Sequence, residues 1–301
     1  MFLVSWADMA HSKPLSLLPS FRRSLFNPRH PGRIHPSLDD MYVPVTALPP
    51  PKDVSAAVAE DHLISRIYYI NAEQLERLQA LCNKSTKLES FSAFLWKIVA
   101  DCAASDDVDK VCKMGIVVDG RRRLSTIDDE DKGFNLTRST GRMMESYFGN
   151  VLSIPFGGKK VEELVEKPLS WVAGEVHEFL QGAVTKEHFL GLIDWVEMQR
   201  PVQGLARIYC RGSEDGPAFV VSSGQQFPVS KIDFGWGKPV FGSYHFLWGG
   251  GAGYVMPMPS PAGNGDWVVY MHMPKKQLEI IETEASNVFR PFTFNCLNVR
   301  N

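Results

Sequence analysis

The sequence of 301 residues predicts an α/β sandwich built on a mixed sheet, and three observations carry that prediction. Runs rich in Ile, Val and Tyr recur along the chain, amphipathic stretches with recognisable caps lie between them, and the two kinds do not alternate strictly. Strict alternation would point to a purely parallel sheet; its absence points to a mixed one. The composition, 44% hydrophobic and 22% charged, is that of an ordinary globular protein, long enough for one large domain or two modest ones. No internal repeat is visible.

Taken in order, residues 2–10 read as the body of a helix, with Phe2, Leu3, Trp6 and Met9 near helical spacing and no capping residue before them. A basic, proline-rich stretch follows, from Pro19 through Pro28-Arg29-His30-Pro31 to Pro49-Pro50-Pro51. Such composition fits an extended segment that crosses a surface or joins two domains. A strand is expected over about 62–70. Asn71 then caps a helix to Cys82, with Gln74 three residues on and Leu75, Leu78 and Leu81 on one face. Thr86-x-x-Glu89 is a second capping box, opening a helix whose apolar face is Phe91, Phe94, Leu95, Ile98 and Cys102. Residues 113–118 read as a strand, and Tyr147 to Ile154 as a turn into another. Helical spacing fills 160–200, strands return at about 218–222, 252–256 and 267–273, and Pro274 opens a final helix to about Val288, as its first residue.

Several function classes are excluded early. Net charge is −2, so no global field favours nucleic acid or an anionic membrane. The five cysteines are scattered, with no CxxC pair, which points to reduced thiols in a reducing compartment. The first eleven residues are apolar but lack a basic start and contain Asp8, so they do not form a convincing signal peptide. No apolar run is long enough to span a bilayer. The chain therefore reads as cytoplasmic, and the sequons at Asn83 and Asn135 as unused. No metal ligation is expected, since no histidine pair has metal spacing on one helix face; His177 and His188 are expected to be exposed. G-x-S-x-G, H-E-x-x-H and P-loop patterns are missing, and the Gly-rich run at 248–253 reads as a loop.

The most distinctive stretch is Asp233-Phe234-Gly235-Trp236-Gly237. Two glycines let the backbone turn sharply while Trp236 is expected to pack in the core. This pentapeptide resembles the signature of the BAHD acyltransferases, plant enzymes that use acyl-CoA. Further stretches resemble the family in the right order: Phe2 to Ala7, Pro19-Ser-Phe-x-Arg-Ser-Leu25, Leu88 to Trp96, Asp119-Gly-Arg-x-Arg-Leu124, Tyr147-Phe-Gly-Asn150 and Phe227-Pro228. Within the family, the run after Ser222 is most similar to acyltransferases acting on phenylpropanoid alcohols such as coniferyl alcohol.

The resemblance implies a chloramphenicol-acetyltransferase-like fold, with residues 1–55 as a remnant of an N-terminal domain plus crossover and 56–301 as the C-terminal acyltransferase domain. It implies acyl transfer from a CoA thioester to a hydroxyl or amine, with acyl-CoA as co-substrate and no bound cofactor. In such a reaction imidazole is a suitable base, because its pKa lies near working pH, and the tetrahedral oxyanion needs a donor. Ser222 stands where the family often has a hydroxyl facing that oxyanion. Gly224 stands where members acting on shikimate-like acceptors carry Trp, so the implied acceptor is bulkier or differently seated. Lys84, Ser85, Thr86 and Lys87 lie in the region the family uses for CoA, ahead of a capped helix whose N-terminus favours phosphate. Arg121 or a neighbour, Arg122 or Arg123, is expected to hold Asp233.

The family's His-x-x-x-Asp-Gly motif precedes the helix that matches residues 2–10, and no such hexapeptide occurs in the sequence. His35 and Asp39 satisfy the spacing alone, but they lie in the proline-rich crossing, with Asp40 in place of Gly. The expectation is therefore a chain shortened before its catalytic motif. Its alternative role is an inactive C-terminal half that binds CoA or a partner. Full-length members are implied to be monomers, whereas this shortened chain is expected to expose apolar surface and self-associate.

Overall fold

The computed structural model describes residues 2–15, 17–48, 63–83, 85–104, 109–125, 144–210, 215–227, 229–243 and 252–297. Its centre is a seven-stranded sheet in the order β11-β2-β10-β9-β8-β3-β6. These strands are β2 (Leu63–Ile70), β3 (Val111–Ile116), β6 (Phe156–Lys160), β8 (Asp215–Val221), β9 (Gly253–Pro259), β10 (Trp267–Pro274) and β11 (Arg290–Pro291). β8 runs parallel to both β3 and β9, and the other pairs are antiparallel. The sheet is thus mixed, as predicted. Two-stranded ladders pair β1 (Tyr42–Pro44) with β7 (Gly204–Ala206) and β4 (Val118–Asp119) with β5 (Leu152–Ser153).

One face of the sheet is covered by helices. α4 (Lys87–Ala103) lies at their centre and packs on α3 (Ala72–Leu81), α6 (Val161–Glu166), α7 (Leu169–Ala183) and α9 (Lys275–Glu284). Phe91, Leu95, Trp96 and Val99 of α4 are fully buried against Met114, Phe219, Val255 and Val269 of the strands. Each large side chain removed from water this way contributes about 1.5–3 kcal/mol. Lys97, on the same helix, donates its ammonium hydrogens to the carbonyls of Leu164, Val165 and Lys167. This closes the C-terminal end of α6, where backbone acceptors are otherwise left over.

The region expected to be helical over 160–200 divides into α6, α7 and α8 (Lys186–Gln199), because Pro168 caps α7 and cannot continue α6. Pro274 also sits as an N-cap, not as the first helical residue, and α9 ends at Glu284, short of Val288. The first helix, α1 (Phe2–Ala10), buries only Ala7, while Phe2, Leu3, Trp6 and Met9 are exposed. The crossing segment is stitched on at several places, among them the bonds of Arg29 and Arg33 to Asp194. Ser20 bridges Tyr147, and α2 (Ser37–Met41) with β1 lies against α8 and β7. Among the described residues no helix is long and apolar enough to cross a membrane.

Candidate active site

The ladder between β8 and β9 continues past the end of β8: Ser222 N–H donates to the Val255 carbonyl at 2.8 Å and Gly224 N–H to the Pro257 carbonyl at 2.8 Å. Phe219 and Val221 point into the helix-covered core, and Val220 belongs to a cluster on the opposite face. By the two-residue period of a strand, Ser222 and Gly224 share the Val220 face. A side chain at Gly224 would start 2.8 Å from Met258 Cγ and 3.4 Å from Met256 Cγ. No cavity waits there for an indole, because methionines fill the place. Met256 and Met258 pack with Tyr270, Ile67, Val229 and Tyr254. On the neighbouring strands the Ser65 hydroxyl lies 3.0 Å from both the Tyr270 hydroxyl and His272 Nδ1. Sequence reasoning missed this buried polar group; its one signal is polar residues two apart, Tyr270 and His272, in an otherwise apolar strand.

Of the residues expected to meet CoA, Lys84 lies outside the described residues. The others surround the start of α4. Thr86 Oγ1 accepts the Glu89 N–H at 3.2 Å, and Glu89 Oε2 accepts the Thr86 N–H at 2.8 Å and its hydroxyl at 2.6 Å. Ser85 donates its hydroxyl to the Cys82 carbonyl at 2.8 Å, and Lys87 Nζ faces Glu76 at 3.6 Å. The capping box forms as predicted, but it places a carboxylate of the protein's own at the helix start. Burial pushes the Glu89 carboxyl up, yet the Thr86 bonds and His177 outweigh it and hold it below its ordinary value.

Three expectations about the pentapeptide region and its surroundings are corrected. Trp236 is 93% exposed, so it is not a core residue: Gly235 and Gly237, with φ of +102° and +100°, turn the loop outward. Arg121 does not hold Asp233. Its guanidinium binds both oxygens of Asp119 at 3.0 Å and the carbonyls of Tyr147 and Gly149, joining the Asp119 and Tyr147 stretches. Arg121, Arg122 and Arg123 lie on a short helix, α5 (Arg121–Leu124). Asp233 Oδ1 instead accepts the N–H groups of Gly235 at 2.8 Å and Gly237 at 3.2 Å, with His11 Nε2 at 3.6 Å. These groups, Gly235 first, hold its carboxyl below the usual range. Phe234 packs its ring edge-on to Trp6 of α1, centroids 5.3 Å apart. His188 is buried, not exposed, because α8 turns it under the crossing segment; His177 is exposed as expected.

His35 and Asp39 do not form a pair. His35 precedes α2, with Nδ1 2.8 Å from the Ser37 hydroxyl, while Asp39 Oδ1 accepts the indole N–H of Trp195 at 2.8 Å. Among the described residues no group of three or more His, Cys, Asp or Glu is placed to hold a metal ion.

A large mixed sheet with helices on one face is the architecture of the chloramphenicol-acetyltransferase-like acyltransferases. The Transferase family profile matches residues 1–288, and the chain belongs to that family, the BAHD acyltransferases. Among similar curated proteins, shikimate O-hydroxycinnamoyltransferase of Nicotiana tabacum is 22% identical over 93% of this chain and 61% of its own length. Anthranilate N-benzoyltransferase protein 1 of Dianthus caryophyllus is 25% identical over 89% of this chain and 57% of its own. The chain thus spans about three-fifths of such relatives. The structure of F. graminearum TRI101 complexed with coenzyme A and T-2 mycotoxin shares the fold, with TM-score 0.67 at 14% identity over 94% of this chain and 61% of that one. Vinorine synthase gives TM-score 0.60 at 18% identity, over 96% of this chain and 59% of its own.

Proposed function

We propose that this polypeptide serves acyl transfer from a CoA thioester to a hydroxyl or amine of a small phenylpropanoid-type acceptor. The observation that carries the reading is the family match running unbroken through residues 1–288. In the reaction a base takes the proton from the acceptor, whose oxygen or nitrogen attacks the thioester carbonyl. The tetrahedral intermediate then collapses, the C–S bond breaks, and the CoA thiolate regains the proton. Ser222 is the candidate donor to the oxyanion. Met256 and Met258 line the place next to Gly224, where flexible thioethers adapt to an acceptor better than a rigid indole wall would. Ser85 and Lys87 are the candidate contacts for CoA phosphate, beside the carboxylate of Glu89.

A second reading rests on the sequence holding no His-x-x-x-Asp-Gly hexapeptide: this chain binds CoA or a partner without turning over. Release of free CoA thiol from acetyl-, malonyl- and hydroxycinnamoyl-CoA, with phenylpropanoid alcohols as acceptors, distinguishes the two. Acceptor-dependent release by the 301-residue chain supports the first reading, and His35→Ala is expected to leave it unchanged. Release only from a polypeptide that also carries His-x-x-x-Asp-Gly supports the second reading for this chain.

A further inference from the structure

A cavity of about 400 Å³ lies between the crossing segment and the start of α8, away from Ser222 and Gly224, and nothing in the acyl-transfer reading uses it. Its polar wall is Arg33, His35 and Ser37 on one side and Thr185, Glu187 and His188 on the other, over an apolar floor that includes Ile34 and Leu38.

The protonation of His188 follows from its neighbours. Ile154 N–H donates to the Tyr42 hydroxyl oxygen at 2.9 Å. With no other acceptor for Tyr42 among the described residues, we assign its proton to Ser153 Oγ, 2.9 Å away. Ser153, fully buried, then gives its proton to His188 Nε2 at 2.7 Å. With that assignment a neutral His188 carries its hydrogen on Nδ1. Burial, with His35 adding to it, lowers the His188 pKa to about 4, so the neutral form is the one present near pH 7. Among the described residues Nδ1 has no partner, although 9% of the residue remains accessible, and His188 lines the cavity.

The other charges are arranged the same way. Glu187, the acid on this wall, is taken by Arg29 Nη1 at 2.7 Å, and Arg29 Nε also holds the buried Asp194 at 2.7 Å. Asp194 fixes the Arg33 backbone N–H at 2.9 Å, and the Arg33 carbonyl accepts Arg29 Nη2 at 2.7 Å. The backbone of Arg33 is thus pinned while its guanidinium has no carboxylate partner among the described residues. Thr185 caps α8, a helix of 14 residues whose positive end lies at the same wall. Donors and positive charge converge on a space with an apolar floor, and the acid on its wall, Glu187, is drawn to Arg29, which it shares with Asp194.

We propose that this cavity is a binding site for a small organic carboxylate. Its oxygens are received by the Arg33 guanidinium, His35 and His188 Nδ1–H, and its apolar body rests on Ile34 and Leu38. The bidentate fit of guanidinium to carboxylate supplies the main attraction, and a preset, neutral His188 donates without first having to be charged.

Benzoate is the probe, titrated into the 301-residue chain while the histidine ring resonances are followed by NMR. The expected result is a saturable shift of the His188 and His35 signals, with His272 unmoved. Affinity should fall roughly tenfold or more in Arg33→Gln, because a hydrogen-bonded charge is lost. Arg33 is exposed, so that variant is expected to fold. Inorganic phosphate is the second arm, and weaker binding than benzoate is expected. Absence of any saturable shift, an unchanged affinity in Arg33→Gln, or phosphate binding at least as tightly as benzoate would each overturn the proposal. None of these readouts needs turnover, so the outcome is independent of whether the chain transfers acyl groups.

Discussion

Two carboxylates in this protein make nearly the same bonds in different surroundings. Glu89 accepts the N–H and hydroxyl of Thr86 and faces His177 Nδ1 at 2.8 Å, with its side chain 9% exposed. Asp233 accepts the N–H groups of Gly235 and Gly237 and faces His11 at 3.6 Å, with its side chain 39% exposed. Both are held below the ordinary carboxylate range. The first sits under α7 at the start of the central helix; the second ties a surface loop to α1. A motif's prominence in the sequence therefore does not measure its weight in the fold. The conspicuous pentapeptide stands in solvent, while an unremarkable Thr-x-x-Glu anchors the core.

The largest effect is expected at Glu89. Glu89→Ala removes the buried half of the capping box and leaves His177 and the N–H and hydroxyl of Thr86 without their acceptor, costing about 3 kcal/mol. Asp233→Ala, in solvent, should leave the unfolding midpoint nearly in place. Urea denaturation followed by circular dichroism measures both, and equal shifts would break the comparison.

The pH dependence sharpens it. A carboxyl whose folded pKa lies below its unfolded value of about 4.3 adds stability that is fully present above that value. The contribution is lost as pH falls through the folded pKa. Burial pushes Asp194 up, but the Arg33 and Arg29 N–H groups and the Arg29 guanidinium outweigh it and leave its carboxyl low. Both Glu89 and Asp194 thus weaken the fold in acid. Glu89→Gln should make the decline of the urea midpoint below about pH 4.3 shallower, leaving the Asp194 part. An unchanged decline would show that the charge of Glu89 adds nothing.

What the sequence makes legible follows the same division. Asn71 and Thr86 are readable because a cap is a local device: Asn71 accepts the Gln74 N–H at 2.9 Å, three residues away. The strand expected over about 62–70 appears as Leu63–Ile70, since a run rich in Ile and Tyr favours the extended chain. The route of Tyr42 to Ser153 to His188 is not readable, because its members are 111 and 35 residues apart and no spacing rule links them. Periodicity tells which residues share a face, not what covers that face. For that reason His188 reads as surface, while Trp236 reads as core merely because a large aromatic usually packs, and each is the reverse.

A smaller effect is expected from the loop glycines. Gly235→Ala places an L side chain at φ +102°, a strain of about 1–2 kcal/mol. Among the described residues only His11 Cε1, at 3.9 Å, lies near the new methyl, so the cost is one of backbone conformation. The loop can shed it by opening locally. Hydrogen exchange should quicken over residues 229–243 while the global midpoint moves little. A global shift as large as that of Glu89→Ala would mean that the loop and the core unfold as one unit.

Trp236→Ala should change stability least, by no more than about 0.5 kcal/mol, because the indole is already 93% exposed. Its effect belongs instead to association. Trp236 contacts Phe234, which meets Trp6, and Trp6 meets Phe2 in an exposed aromatic row. An exposed apolar surface of this kind marks a candidate interaction site, and self-association through it is expected. Sedimentation velocity across a concentration series should show weaker association for Trp236→Ala, and weaker still for Trp6→Ala, which breaks the row in the middle. If Trp6→Ala leaves association unchanged while lowering the unfolding midpoint, α1 and the Asp233 loop are fastened to the core more tightly than their exposure implies. The contrast between the two carboxylates would then be one of packing partners alone.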